Sequence, residues 1–64
     1  MIDTGKVTSV INKGDETILE IVFINDLKTT VILPHQDIDK YKDKYVICAM
    51  DSDNNTKILD IVDD

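Results

Sequence analysis

Residues 16–26 read ETILEIVFIND, and the fold turns on which of these side chains share a face. A strand sends successive side chains to opposite sides of a sheet. One face then carries Leu19, Ile21 and Phe23, and the other carries Ile18, Val22 and Ile24, interrupted only by Glu20. Both faces are apolar. A chain of 64 residues buries roughly 60% of its unfolded surface and has no second layer to spare. The outer face is therefore expected to be covered by crossing strands, by a partner, or by a second copy of the chain.

Working outward, the chain reads as a single domain over residues 1–64. Its twenty Ile, Val and Leu residues supply one small core without a disulfide or metal staple. Cys48 is the sole cysteine, so no internal disulfide forms, which fits a reducing compartment and an expected cytoplasmic location. There is no charged-then-apolar leader, and no apolar run approaches the ~18 residues of a membrane span, so no membrane partner is expected. Thirteen acidic residues stand against seven lysines, with no arginine, for a net charge of -6. Such a field repels polyanions, because Lys and Arg supply most of the affinity for phosphates. Direct nucleic-acid binding is disfavoured on that ground. A basic protein partner is favoured by it, although the same charge also keeps an Ile-rich surface soluble.

Five β-like segments are bounded by turn chemistry. The first spans 6–12, with Val7, Ser9 and Ile11 on one side and Thr8 and Val10 on the other, and the NKGDE turn around Gly14 ends it. The quoted stretch is the second. The third, 29–33, follows NDLK and makes a hairpin with it. Pro34 has no N–H to give a ladder and stops the pairing. In HQDIDKYKD, Ile38 and Tyr41 are three apart, the spacing of one helical turn that seats both on a barrel end, with Asp37 near its positive pole. The fourth strand, 44–50, sets Tyr45, Ile47 and Ala49 against Val46, Cys48 and Met50. DSDNNT is a polar loop, 57–62 is the last strand, and Asp63 and Asp64 are expected to fray. Sheets this short avoid bare edges by curling. The expected fold is all-β: a small five-stranded barrel with one short helical turn between strands 3 and 4, the long second strand serving both halves.

The glycine-led TGKVTSVIN, the long second strand, the third strand ending near proline, the short helix and then DKYVICAMD together resemble small OB-fold modules. The translation-initiation-factor type and the TOBE-type anion-binding domains are the nearest in arrangement. The likeness runs over residues 5–62 and lies in pattern and spacing. It implies an OB-type barrel that binds nucleic acid or a small anion. Modules that grip single strands stack bases on aromatics within a basic groove, whereas Phe23, Tyr41 and Tyr45 are the only aromatics here and Phe23 falls on the core side. The departure bears on the ligand and leaves the barrel standing. An SH3-like barrel is the alternative topology, but its helical turn precedes the final strand, and here the turn precedes the fourth. Two pieces, TTVILPHQDIDKY and VICAMDSDNNTKIL, resemble the acidic phage inhibitor of uracil-DNA glycosylase, without the long insertion that family carries between them. That likeness implies a carboxylate-rich protein inhibitor.

No constellation for chemistry stands out. Asp51, Asp53 and Asn55 have the alternate spacing of a calcium loop, but Thr56 and Val62 replace its required Gly and Glu. His35, Asp37 and Asp39 fall short of the four ligands of a closed zinc site. Cys48 is far in sequence from the only histidine, so no activated nucleophile is expected, nor any catalytic, metal or cofactor site. The expectation is a non-enzymatic, acidic protein-interaction module, an inhibitor or regulator of a nucleic-acid-handling protein. Ile18, Glu20, Val22 and Ile24 are its expected partner-facing strand, and Asp37, Asp39, Asp51 and Asp53 its steering charges. Self-association through that strand is an equally physical cover. An OB-type nucleic-acid or anion-binding module is the alternative, and requires Lys6, Lys28 and Lys57 to gather on one face.

Overall fold

The computed structural model describes residues 1–53 and 55–62. The chain runs β1 (Ile2–Lys13), β2 (Glu16–Phe23), β3 (Lys28–Pro34), α1 (Ile38–Tyr41), β4 (Tyr45–Met50) and β5 (Thr56–Val62). These strands form one antiparallel sheet in the order β3-β2-β1-β4-β5, curled into a half-barrel with a single helical turn between β3 and β4. The all-β, five-stranded architecture expected from the sequence is the one the chain adopts. Asp63 and Asp64, expected to fray, lie outside the described residues, as does Asn54 of the DSDNNT loop.

The strand that serves both halves is β1, not β2. Twelve residues long, it pairs with β4 through Ile2 to Lys6 and with β2 from Gly5 to Lys13. Gly5 belongs to both ladders, opposite Phe23 on one side and Val46 on the other. Only a residue without a side chain fits there. A Cβ on Gly5 would stand 2.5 Å from Ile21 Cγ2 and 2.9 Å from Phe23 Cδ1.

Burial follows the faces of β2. Thr17, Leu19, Ile21 and Phe23 are buried, while Ile18, Glu20 and Val22 point outward. Val7, Val31, Tyr41, Val46 and Cys48 complete the core, with Val10, Leu33, Met50, Ile58 and Ile61 packed against it. Strict alternation along β1 puts Val7 and Ile11 on one side, and the structure corrects this. Thr8 is an extra residue between the pairs Val7↔Ile21 and Ser9↔Glu20, and such a bulge shifts the faces by one. Val7 and Val10 thus both serve the core, and Ile11 turns outward.

The quoted stretch also ends sooner than its apolar run. At Phe23 the chain turns: Asp26 N donates to Phe23 O at 2.9 Å, and Asp26 takes a left-handed φ of 64°. Ile24, expected on the strand, sits in that turn at 93% exposure. Short polar residues tolerate left-handed backbone, so ND closes a hairpin that an isoleucine alone does not announce.

At the other end Thr17 is wholly buried. Its hydroxyl donates to Asn12 Oδ1 at 2.6 Å and accepts from Gln36 N at 2.7 Å, tying the β1–β2 turn to the segment before α1. Thr17→Val keeps the shape but leaves that N–H unpaired, so a loss of roughly 1–3 kcal/mol is expected in a urea melt. An unchanged midpoint would show that water substitutes for the hydroxyl. Asp37 caps α1 by accepting from Asp39 N at 3.1 Å. Tyr41 is buried by the helical turn, whereas Ile38, expected beside it on the barrel end, stays partly exposed.

Candidate functional site

The outward face of β1, β2 and β3 is ordered in rows, because the two ladders share the register of β2. Ile11 stands opposite Ile18, and Ile18 opposite Ile32, making an isoleucine row three strands wide. Ile11 and Ile32 are 55% and 58% exposed, and Ile18 is half-buried between them. None of the three belongs to the core cluster. The next row reads Ser9, Glu20, Thr30, and the row on the other side Lys13, Glu16, Pro34. Glu16 and Glu20 therefore bracket Ile18 along the central strand. Glu20 is held in place, since Thr8 Oγ1 donates to its Oε1 at 3.1 Å and its backbone O at 3.3 Å. The bulge that turns Ile11 outward also supplies this hydroxyl.

One row further on, Lys6, Val22 and Lys28 lie side by side, with Tyr45 opposite Lys6 on β4. Lys6 Nζ is 5.9 Å from the centre of the Tyr45 ring, within reach of a cation–π attraction. Thr4, Lys6, Val22, Ile24 and Tyr45 border an open groove of about 400 Å³. Two of the three lysines required by the nucleic-acid alternative are thus gathered. Lys57 is opposite Ala49, in the row of Ile2, away from the other two.

Of the expected partner-facing residues, Ile18, Glu20 and Val22 share one face, and Ile24 sits in the turn beyond it. The four expected steering charges are divided. Asp37 caps α1 and Asp39 lies in it, ahead of the start of β4, and Asp51 and Asp53 follow its end. The whole of β4, six residues long, lies between the two pairs in the chain. Sequence reasoning missed Ile11, Ile32 and Glu16 as companions of Ile18. Their common row depends on the Thr8 bulge and on register, neither of which periodicity alone displays.

The remaining candidates have local contacts of their own. Asp51 Oδ1 accepts from Asp53 N at 2.9 Å and Asn55 N at 3.0 Å, and Oδ2 accepts from Asn55 Nδ2 at 3.3 Å. The Asn55 N–H foremost, and then Asp53 N–H and the Asn55 side chain, hold the Asp51 carboxyl below its usual range. A carboxylate stabilised in this way contributes above pH ~4 and loses that contribution as pH falls. The Asn55 amide resonance is therefore expected to move on acidification below pH ~4 and to lose most of that shift in Asp51→Ala; an amide that ignores the titration in the native chain would contradict this role. No group of three or more metal-ligating side chains occurs among the described residues.

Cys48 is buried, and burial first, then the nearby Asp3 carboxylate, pushes its thiol pKa up. It pairs with Ile58 and with Asp3 near the start of β1, while His35 N donates to Asp15 O beyond the strand's far end. Cysteine and histidine are thus at opposite ends of β1. A raised, buried thiol reacts slowly, so an aromatic disulfide reagent should label Cys48 only at the rate of unfolding. Immediate labelling in native buffer would contradict its burial.

No helix among the described residues is long and apolar enough to cross a membrane. No protein-family model, curated protein sequence or solved structure matches the chain.

Proposed function

We propose that this chain is a non-enzymatic, acidic protein-interaction module that docks through the outer face of β1, β2 and β3, and acts as an inhibitor or regulator of a nucleic-acid-handling protein. The observation that supports it is the Ile11–Ile18–Ile32 row. Those side chains lie on the side of the sheet away from the core, so folding does not account for them. Apolar surface gathered in a patch and rimmed by polar groups marks an interaction site. The net charge of -6 favours a basic partner, of the kind that handles nucleic acid, by raising the rate of encounter. In this reading Asp37, Asp39, Asp51 and Asp53 act at long range from the two ends of β4, and Ile18, Glu20 and Val22 make contact. The location is that of such a partner, in the cytoplasm.

The test is a pull-down from the native cell with the wild-type chain and with Ile18→Lys/Val22→Lys. A protein retained by the first and lost with the second, while circular dichroism shows the fold intact, supports the reading. Equal retention by both would overturn it. Collapse of the fold in the double variant would show that these side chains are core.

A second reading has its own observation, the Lys28, Val22, Lys6, Tyr45 row. Lysines beside an exposed aromatic ring are the elements of an anion-binding platform, and the helical turn before β4, with β1 shared between β2 and β4, agrees with an OB-type rather than an SH3-like connectivity. An electrophoretic shift assay at low salt decides. Retention of single-stranded DNA or RNA that Lys6→Glu removes would put this reading first, and free migration would dismiss it.

A further inference from the structure

The row's geometry and the charges beside it bear on what could cover it. Three strands spaced about 4.8 Å apart place the backbones of Ile11 and Ile32 about 10 Å from one another, with Ile18 midway. An α-helix presents side chains at i, i+4 and i+7 over a rise of about 10.5 Å, matching that spacing. An extended segment presents same-face side chains every ~6.8 Å and overshoots the row. Along β2, Glu16 and Glu20 are four residues apart, about 13 Å, and a helix with its side chains is about 10–12 Å across. A helix lying along the row thus fits between the two glutamates.

Charge opposes the simplest alternative, a second copy stacked row on row. Face-to-face pairing about a two-fold axis that aligns the isoleucine rows puts Ile18 on Ile18, and the axis runs either along the strands or along the row. The first sets Glu16 on Glu16, the second Glu16 on Glu20, because both glutamates lie on the central strand. Like charges brought together in this way oppose association. Lys13, opposite Glu16 on β1, offsets that flank in part. Glu20 has only Ser9 and Thr30 beside it and is fixed by Thr8, while Lys6 and Lys28 lie one row beyond. The two rows that flank the isoleucines thus carry Glu16 and Glu20 against Lys13, one negative charge in excess.

We infer that the Ile11–Ile18–Ile32 row, bracketed by Glu16 and Glu20, receives a cationic amphipathic helix of another protein, apolar along one stripe and carrying Lys or Arg on its flanks. This rests on the outer face being a docking surface, and names its occupant.

The test uses the full chain, isotope-labelled, and two synthetic helical peptides of about 18 residues: one of leucine and lysine with the leucines on one stripe, and its leucine–glutamate counterpart. The expected result is that the Leu/Lys peptide alone shifts the methyl resonances of Ile11, Ile18 and Ile32. Its affinity should fall roughly three- to tenfold in Glu16→Gln/Glu20→Gln and stay near wild type in Asp26→Asn/Asp60→Asn, which removes the same charge elsewhere. Equal loss in both double variants would overturn the inference, since only net charge would then matter. Equal shifts from both peptides would leave the docking face and overturn its cationic occupant. Shifts confined to other residues, or a concentration-dependent dimer in light scattering that protects these methyls, would overturn it too. The docking face itself is judged separately, by the pull-down with the lysine variants.

Discussion

Leu19→Ala is expected to destabilise the protein by about 2–5 kcal/mol, and Ile18→Lys, at the adjacent position, by roughly 1 kcal/mol or less. Leu19 has no exposed surface and stands in the cluster with Val7, Ile21 and Val31, so truncation forfeits its transfer energy and leaves a cavity. Ile18 loses only the contacts of a half-covered side chain, and lysine can lay its stem on the sheet and keep its charge in water. In a domain of this size a loss of several kcal/mol is a large share of total stability, so Leu19→Ala approaches complete unfolding. Urea melts of the two variants check the pair. Similar losses for both would mean that Ile18 belongs to a second core, and the docking surface would go with it.

Gly5→Ala is expected to cost about 1–3 kcal/mol by overpacking, an unusual penalty for adding one methyl group. The cause is the sharing of Gly5 between two ladders, which brings its backbone onto Ile21 and Phe23 at distances too short for any Cβ. The closest of these atoms is Ile21 Cγ2, and leucine has no methyl at that position, so Ile21→Leu should relieve the crowding. Gly5→Ala/Ile21→Leu should then be more stable than the sum of the single changes allows, with a coupling of at least ~0.5 kcal/mol. Additive losses would show that the Ile21 methyl is not what the added Cβ meets.

Much of this was legible in residues 16–26. The alternation that buries Leu19, Ile21 and Phe23 is a property of strand geometry, and it reads directly from the letters. Pro34 and the NKGDE turn likewise mark ends, although Pro34, expected to stop the pairing, is itself the last paired residue of β3, opposite Glu16. What the letters did not display is register. Thr8 looks like an ordinary outward residue of β1, yet as a bulge it changes which later side chains face the core, and a single slip inverts a whole face. Glycine at position 5 announces a close approach only once Phe23 and Val46 are known to flank it. The isoleucine row combines three separate strands and exists only through their pairing. The acidic residues were legible as charge but not as places: Asp37 and Asp51 turn out to accept backbone N–H groups, a local use of short carboxylates common in caps and turns.

The most direct measurement is solvent access to the isoleucine methyls in the free protein, read as relaxation enhancement by a soluble paramagnetic chelate. The expected result is strong enhancement at Ile11 and Ile32, intermediate at Ile18 and none at Ile21. Protection of Ile11 and Ile32 to the level of Ile21 would contradict the account, because the row would already be covered and could receive nothing.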